Sequence, residues 1–169
     1  MAVTYDKIAT TTLGSNTTNI TFSSISGSYT DLILICQYAS QISNYNFFLR
    51  FNSDSGNNYS DTVLVGETSA SSNRLSNYNS ILMTQYLGAG TTLAKPGTTI
   101  ANIMNYSNST TNKTCLFRDN AITDAGAMQS GAGVGLWRNT AAITSITFGT
   151  NSGYLVTGTT ATLYGILKA

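Results

Sequence analysis

The sequence contains no histidine, and this absence alone removes several kinds of active site. Without an imidazole, neither a Ser-His-Asp triad nor a Cys-His pair is available within one chain. The two cysteines also lack the further thiols or imidazoles that a tetrahedral zinc site requires. The missing histidine therefore argues against most enzyme classes, and no catalytic residue and no metal or other cofactor is predicted.

Charged residues are scarce as well, at 9% of the 169 residues, against about a quarter in typical globular chains. The formal net charge is +1 and no basic cluster is present, so nothing indicates binding to nucleic acid or to an anionic membrane. Serine, threonine and asparagine must supply the polar surface, and these side chains hardly repel one another. Such a surface suits a protein that is packed into an assembly.

Long hydrophobic runs are also missing. The longest one, residues 32–36, is far too short to span a bilayer. Residues 1–7 lack the apolar segment of a signal peptide, so we expect synthesis in a cytoplasm. In that reducing compartment, Cys36 and Cys115 are expected to be buried free thiols, because both lie in strand-like apolar runs.

What the sequence does contain is the composition of strands and turns. The hydrophobic fraction is 41%; ten tyrosines and many threonines favour strands, whereas fifteen glycines favour turns. Apolar residues recur with a period of two, and no helical stripe is visible. In residues 31–38, Leu34 points to one face and Ile33 and Ile35 to the other. This predicts a central strand covered on both sides, by a second sheet and by a neighbour or loop.

These patterns predict about eight to ten strands in a single domain of residues 1–169, with a short N-terminal arm of about residues 1–4. The predicted strands are residues 5–13, 18–22, 31–38, 47–51, 61–67, 78–87, 98–106, 114–118, 142–148 and 159–167. Residues 69–77 are predicted as a loop, and residues 124–135 show no clear strand pattern. We therefore predict an all-β, antiparallel two-sheet sandwich, with the jelly roll as the preferred architecture.

The polar run of residues 52–58 raises the hypothesis of a calcium site at Asn52, Asp54 and Asp61. The EF-hand pattern with its closing glutamate is missing, and a hydrogen-bonded turn is the simpler interpretation. The glycines of residues 131–135 lack the lysine that follows in a phosphate-binding loop. Close approach of neighbouring strands or a left-handed turn explains these glycines better.

Paired carboxylates raise the further hypothesis of a glycosidase, which needs two of them at a defined separation. Two pairs can be proposed, Asp54 with Asp61 and Asp119 with Asp124. Both pairs are expected in or beside turns, where aspartate commonly hydrogen-bonds to the backbone. The structural interpretation is therefore preferred.

Aromatic residues raise a third hypothesis, a glycan-binding face. Trp137 and the tyrosines Tyr45, Tyr59 and Tyr78 are the candidates for a platform on which sugars stack. The alternative is that these rings pack in the core or between subunits, since aromatic residues dominate both environments.

Three segments together carry a resemblance to a known group of proteins. They are residues 48–60 (FLRFNSDSGNNYS), residues 135–147 (GLWRNTAAITSIT) and residues 160–166 (TATLYGI). In order and spacing they resemble a widespread group of outer virion proteins of tailed bacteriophages, common among phages of cyanobacteria and marine bacteria. Members are β-rich and lie on the outside of the particle, as capsid decoration (cement) proteins or as tail-fibre-associated proteins.

The resemblance implies a structural protein of the virion and supplies no catalytic residue. We expect a capsid decoration protein, not an enzyme, on the outer surface of the phage head, where it binds the major capsid protein and stabilises its lattice. We also expect a homotrimer, because trimerisation would bury apolar area and protect sheet edges. The alternative is a tail-fibre or spike-associated module that binds a host receptor or glycan.

Overall fold

The computed structural model describes residues 4–42, 46–83 and 89–167. In these ranges the chain forms strands and no helix, so the all-β class is confirmed. The described residues therefore include no helix that could cross a bilayer. The strands are β1 (Tyr5–Thr12), β2 (Asn19–Phe22), β3 (Asp31–Tyr38), β4 (Phe47–Phe51), β5 (Tyr59–Gly66), β6 (Ala70–Tyr78), β7 (Ile81–Leu82), β8 (Gly97–Met104), β9 (Lys113–Ile122), β10 (Met128–Trp137), β11 (Ile146–Thr150) and β12 (Thr160–Ile166).

The strands form two antiparallel sheets, which confirms the predicted sandwich. The larger sheet has eight strands in the order β1-β12-β3-β8-β9-β10-β5-β6, and the smaller has four in the order β2-β11-β4-β7. The first four strands alternate between the two sheets, and so do β11 and β12. This alternation is compatible with the preferred jelly roll, which stays a prediction.

The core lies between the two sheets and is built from alternate residues of their strands. Tyr38 of β3 is fully buried, and its ring centroid lies 4.1 Å from that of Phe47 and 5.2 Å from that of Phe148, both in the smaller sheet. Aromatic pairs of this kind contribute about 0.5–1.5 kcal/mol beyond their buried area. Cys36 and Cys115 are buried free thiols as expected, and burial raises the pKa of Cys115 to about 12.

Two segments that were not predicted as strands belong to strands. Residues 69–77, predicted as a loop, form most of β6, and residues 124–135 supply most of β10. The edge strand β6 is polar and exposed on most positions, so it lacks the alternation that reveals a half-buried strand. Of the predicted strand 78–87, the described part contains the end of β6 and the two residues of β7, and residues 84–87 lie outside the described residues.

The outer face of β3 was expected beneath a neighbour or loop. Within the described chain Ile35 is 37% exposed, so a loop does not cover it, and cover by a neighbour stays a prediction. The second sheet packs only on the inner face, where Leu34 is fully buried. The apolar residues on the outer face of β3 therefore lie at the surface of the described chain.

The glycines of β10 let large side chains approach the strand. A Cβ placed on Gly133 would lie 2.7 Å from Cε2 of Phe117 and 2.8 Å from the carbonyl oxygen of Thr62. Because the second contact is with backbone, a rotamer change cannot relieve it. Of the two explanations proposed for these glycines, close approach is therefore confirmed at this position.

We expect Gly133→Ala to lower the free energy of unfolding by about 1–3 kcal/mol, the usual cost of overpacking a core. Denaturant unfolding measures the loss. Gly14→Ala is the matched control, since its added methyl group would meet nothing within 4 Å, and its stability should equal or exceed that of the wild type. Equal midpoints for Gly133→Ala and the wild type would contradict this packing.

Candidate functional site

The polar run proposed for calcium is a closed, hydrogen-bonded turn around Asp54. Its Oδ1 accepts a hydrogen bond from the backbone N–H of Gly56 at 2.8 Å, and its Oδ2 accepts from Nδ2 of Asn58 at 3.0 Å and Nε1 of Trp137 at 2.7 Å. Burial raises the pKa of Asp54, but these donors outweigh burial and hold the pKa below its usual value. Both carboxylate oxygens are therefore occupied by N–H donors.

The other two proposed calcium ligands are also engaged. Oδ1 of Asn52 accepts from the backbone N–H of Thr144 at 2.8 Å and of Ser145 at 3.1 Å. Asp61 is buried, and its Oδ2 accepts from the backbone N–H of Leu82 at 3.0 Å. Nowhere in residues 4–42, 46–83 and 89–167 do three or more His, Cys, Asp or Glu side chains gather as a metal site would require. The geometry gives no support to a calcium site at these residues.

Trp137 and Tyr59, proposed for an exposed sugar platform, lie in the core. Trp137 is 1% exposed and Tyr59 is fully buried, and their rings stack with centroids 6.2 Å apart and planes at 15°. Tyr78 is half-buried at the end of β6, and Tyr45 lies outside the described residues. The platform is therefore wrong for Trp137 and Tyr59, because the alternation along β10 and β5 points both rings inward.

Asp119, expected in or beside a turn, is instead 4% exposed on the inner face of β9. Its Oδ1 accepts a hydrogen bond from the hydroxyl of Thr99, which is itself hydrogen-bonded to the hydroxyl of Tyr38 at 3.3 Å. Its Oδ2 is buried and has no hydrogen-bond partner among the described residues. Burial raises the pKa of Asp119 to about 8, against the opposing effect of the Thr99 hydroxyl.

Asp124, the other member of that carboxylate pair, does lie in a surface turn. Its Oδ1 accepts from the backbone N–H of Thr91 at 2.9 Å, as expected of a turn aspartate. Asp119 is buried in the core while Asp124 is exposed to solvent. Asp119 is therefore out of reach of a substrate, which does not favour the glycosidase hypothesis for this pair.

The outer face of the eight-stranded sheet carries apolar side chains that the rest of the described chain leaves uncovered. Directly paired residues of neighbouring antiparallel strands share one face of the sheet, so the strand register places these side chains together. We call them the apolar strip, which consists of Ile35, Ile100, Leu116, Ala132, Val134 and Leu64. Leu64 is 61% exposed and Leu116 is 48% exposed. Contiguous exposed apolar surface of this kind marks interaction sites in soluble proteins.

Shallow hollows separate the larger side chains of the apolar strip, because β10 presents small residues to this face. A hollow of about 560 Å³ is bordered by Leu64, Ala132 and Ser130. A second, of about 320 Å³, is bordered by Leu116, Ala132 and Arg118. Side chains of another protein would therefore fit into the hollows of the apolar strip.

The charged side chains on this face are mainly basic. Arg118 lies within the apolar strip, directly paired with Ile100 and Ala132. Arg74 lies at the β6 edge and Lys7 at the β1 edge of the same face. The guanidinium groups of Arg118 and Arg74 make no hydrogen bond or ion pair within the part of the chain that the structure describes. The face is thus apolar and positively charged.

The outer face of the four-stranded sheet is different. The hydroxyls of Thr21 and Thr147 are hydrogen-bonded at 2.9 Å. The guanidinium of Arg50 lies 4.8 Å from the ring centroid of Phe48 and donates through Nε to the carbonyl oxygen of Asn79. Because its polar groups satisfy one another, this face offers less to a partner than the face with the apolar strip.

Comparison with known proteins adds no family. No protein-family model matches the chain, and no curated protein matches it. An exo-inulinase from Aspergillus awamori is similar at 8% identity and a TM-score of 0.31, over 96% of this chain and 29% of the inulinase. A GH43 glycoside hydrolase with an engineered active site is similar at 10% identity and a TM-score of 0.33, over 95% of this chain and 36% of the hydrolase. The chain spans about a third of the length of these structures, and TM-scores this low carry no argument about its fold or activity.

Proposed function

We propose that the chain is a structural virion protein, a capsid decoration protein that binds the outside of a phage head through the outer face of its eight-stranded sheet. One observation carries the proposal, namely the apolar strip, which crosses five adjacent strands and stays uncovered in the described chain. Exposed apolar area of this kind is costly in water unless a partner covers it. The resemblance to outer virion proteins of tailed phages supplies the kind of assembly in which that partner is found.

The acidic side chains support a role in binding rather than in chemistry. Asp54 anchors the indole of Trp137, and Asp61 joins the two sheets through the backbone N–H of Leu82. Asp119 is buried beside Thr99. Asp54 and Asp61 thus support the scaffold, and Asp119 is enclosed in the core. A rigid scaffold is what a decoration protein requires.

Decoration acts through repetition. Many copies, each with a modest contact, would strengthen a shell by avidity, because every bound copy holds neighbouring capsid subunits together. The expected homotrimer belongs to the same proposal. Its contacts would protect β1 and β6, which form the two edges of the larger sheet.

The proposal predicts both a copy number and a loss of particle strength. Quantitative mass spectrometry of purified phage particles should find hundreds of copies per particle, as a shell protein requires. Particles that lack the chain should release their genome at a lower temperature and after milder osmotic shock than complete particles. A few to tens of copies would place the protein on the tail, and unchanged resistance to heat and shock would contradict decoration.

A further inference from the structure

We propose that the apolar strip binds a surface of a different protein that presents a carboxylate among apolar side chains, and that Arg118 pairs with this carboxylate. The inference rests on the proposed function and deepens it, because it states the chemistry of the contact. The partner is an acidic and apolar protein surface rather than a second copy of this chain.

Arg118 lies among the side chains of the apolar strip. Its direct neighbours on the adjacent strands are Ile100 and Ala132, so the guanidinium stands inside the apolar strip. The small side chain of Ala132 leaves the hollow of about 320 Å³ beside it, with Leu116 on the other side. A partner that covers the apolar strip must therefore also cover Arg118.

Covering Arg118 has an energetic cost. A guanidinium group removed from water without a partner loses its hydration, and an unpaired buried charge is strongly unfavourable. No described residue supplies an acceptor, because the guanidinium of Arg118 has no hydrogen bond or ion pair within these parts of the chain. The partner must bring the acceptor, and a carboxylate matches the planar fork of arginine with two parallel hydrogen bonds.

The charges on this face exclude a second copy as the occupant. Arg74 and Lys7 lie on the same face as Arg118, and all three are positively charged. The acidic residue on this face is Asp31 at the start of β3, which accepts a hydrogen bond from the backbone N–H of Asn105 at 2.6 Å. Two copies that met through this face would bring like charges together, which is unfavourable at an interface.

The hollows on this face indicate what else the partner presents. Ala132 lies between Arg118 and the hollow of about 560 Å³. Leu64 and Ser130 border this hollow. An apolar side chain that enters this hollow would sit next to the carboxylate paired with Arg118. The recognised element is therefore an acidic residue flanked by an apolar one.

Binding of the full-length protein to capsid shells purified from particles that lack it tests the inference. We expect Arg118→Glu to weaken binding by at least about thirtyfold, because it sets a carboxylate against a carboxylate. Arg118→Lys should lose part of the affinity, because a lysine cannot donate two parallel hydrogen bonds. Arg50→Glu is the matched control with the same change of charge on the opposite sheet, and it should bind as the wild type does.

The outcomes separate the inference from the proposed function. Equal binding by Arg118→Glu and the wild type, with both folded by circular dichroism, would overturn the inference and leave the decoration role standing. Failure of the wild type to bind shells would overturn the decoration role and the inference with it. A wild-type dimer in sedimentation velocity that Leu116→Asp dissociates would show that a second copy covers the strip, and this too would overturn the inference.

Discussion

Trp137→Ala is expected to lower the free energy of unfolding by about 3–5 kcal/mol, the range for removing a large buried aromatic side chain. The indole ring is stacked on Tyr59, and its centroid lies 5.7 Å from that of Phe51. Its Nε1 also donates to Asp54 at 2.7 Å, so the substitution leaves that carboxylate without one of its donors. Urea unfolding followed by far-ultraviolet circular dichroism measures the loss without relying on tryptophan fluorescence.

Two further variants divide this effect between packing and hydrogen bonding. Trp137→Phe keeps an aromatic ring but removes the donor to Asp54, and we expect it to cost about 1–3 kcal/mol. Tyr5→Ala changes an aromatic side chain that is 55% exposed, so its effect should stay within about 0.5 kcal/mol. If Trp137→Ala unfolded at the wild-type urea concentration, a buried role for Trp137 would be contradicted. Since Trp137→Ala is expected to impair folding, loss of sugar binding in that variant would not identify a glycan site.

The stability of the wild type is expected to fall by roughly 3–4 kcal/mol between pH 5 and pH 8, because Asp119 ionises in the unfolded chain but not in the fold. In the unfolded chain this carboxyl has an ordinary pKa, whereas burial raises its pKa to about 8 in the native protein. Above the ordinary pKa, the native state therefore holds a proton that the unfolded state has released. The resulting penalty is absent in acid, grows with pH and is complete once the pH exceeds about 8.

Asp119→Asn should remove this slope, because an amide does not titrate. Asp54→Asn is the control with intact pH dependence: the pKa of Asp54 is lowered in the fold, so its contribution is lost only in acid. Urea unfolding of the three proteins at several pH values from 5 to 8 measures the slopes, below the range in which thiols and phenols ionise. A wild-type stability that is constant over this window would contradict a buried, protonated Asp119.

Strands with strong alternation could be predicted from sequence nearly to the residue. The bounds of β3 and β4 are those predicted, since each strand buries every second side chain or more in the core. Strands without such a pattern could not be predicted from the sequence. The serines and asparagines of β6 lie at an exposed edge, and the glycines of β10 are explained by neighbours that no local pattern reveals, such as Phe117 against Gly133 and Ile81 against Gly135.

The candidate surface was only partly visible in the sequence. The apolar residues Ile33 and Ile35 on the second face of β3 did indicate that something covers this face, and the described chain does not supply that cover. Leu116, Val134 and Leu64 lie on three different strands, and the register of those strands alone brings them together. The same limit explains the error at Trp137, because β10 was not predicted as a strand and its inward alternation was therefore missed.

A cryo-electron-microscopy reconstruction of the phage head tests the central claim most directly. The account predicts the chain on the outer surface of the shell, with the outer faces of β3, β8, β9, β10 and β5 turned toward the major capsid protein and a carboxylate of that protein opposite Arg118. A head that carries no copy of the chain, or copies bound through the four-stranded sheet, would contradict it.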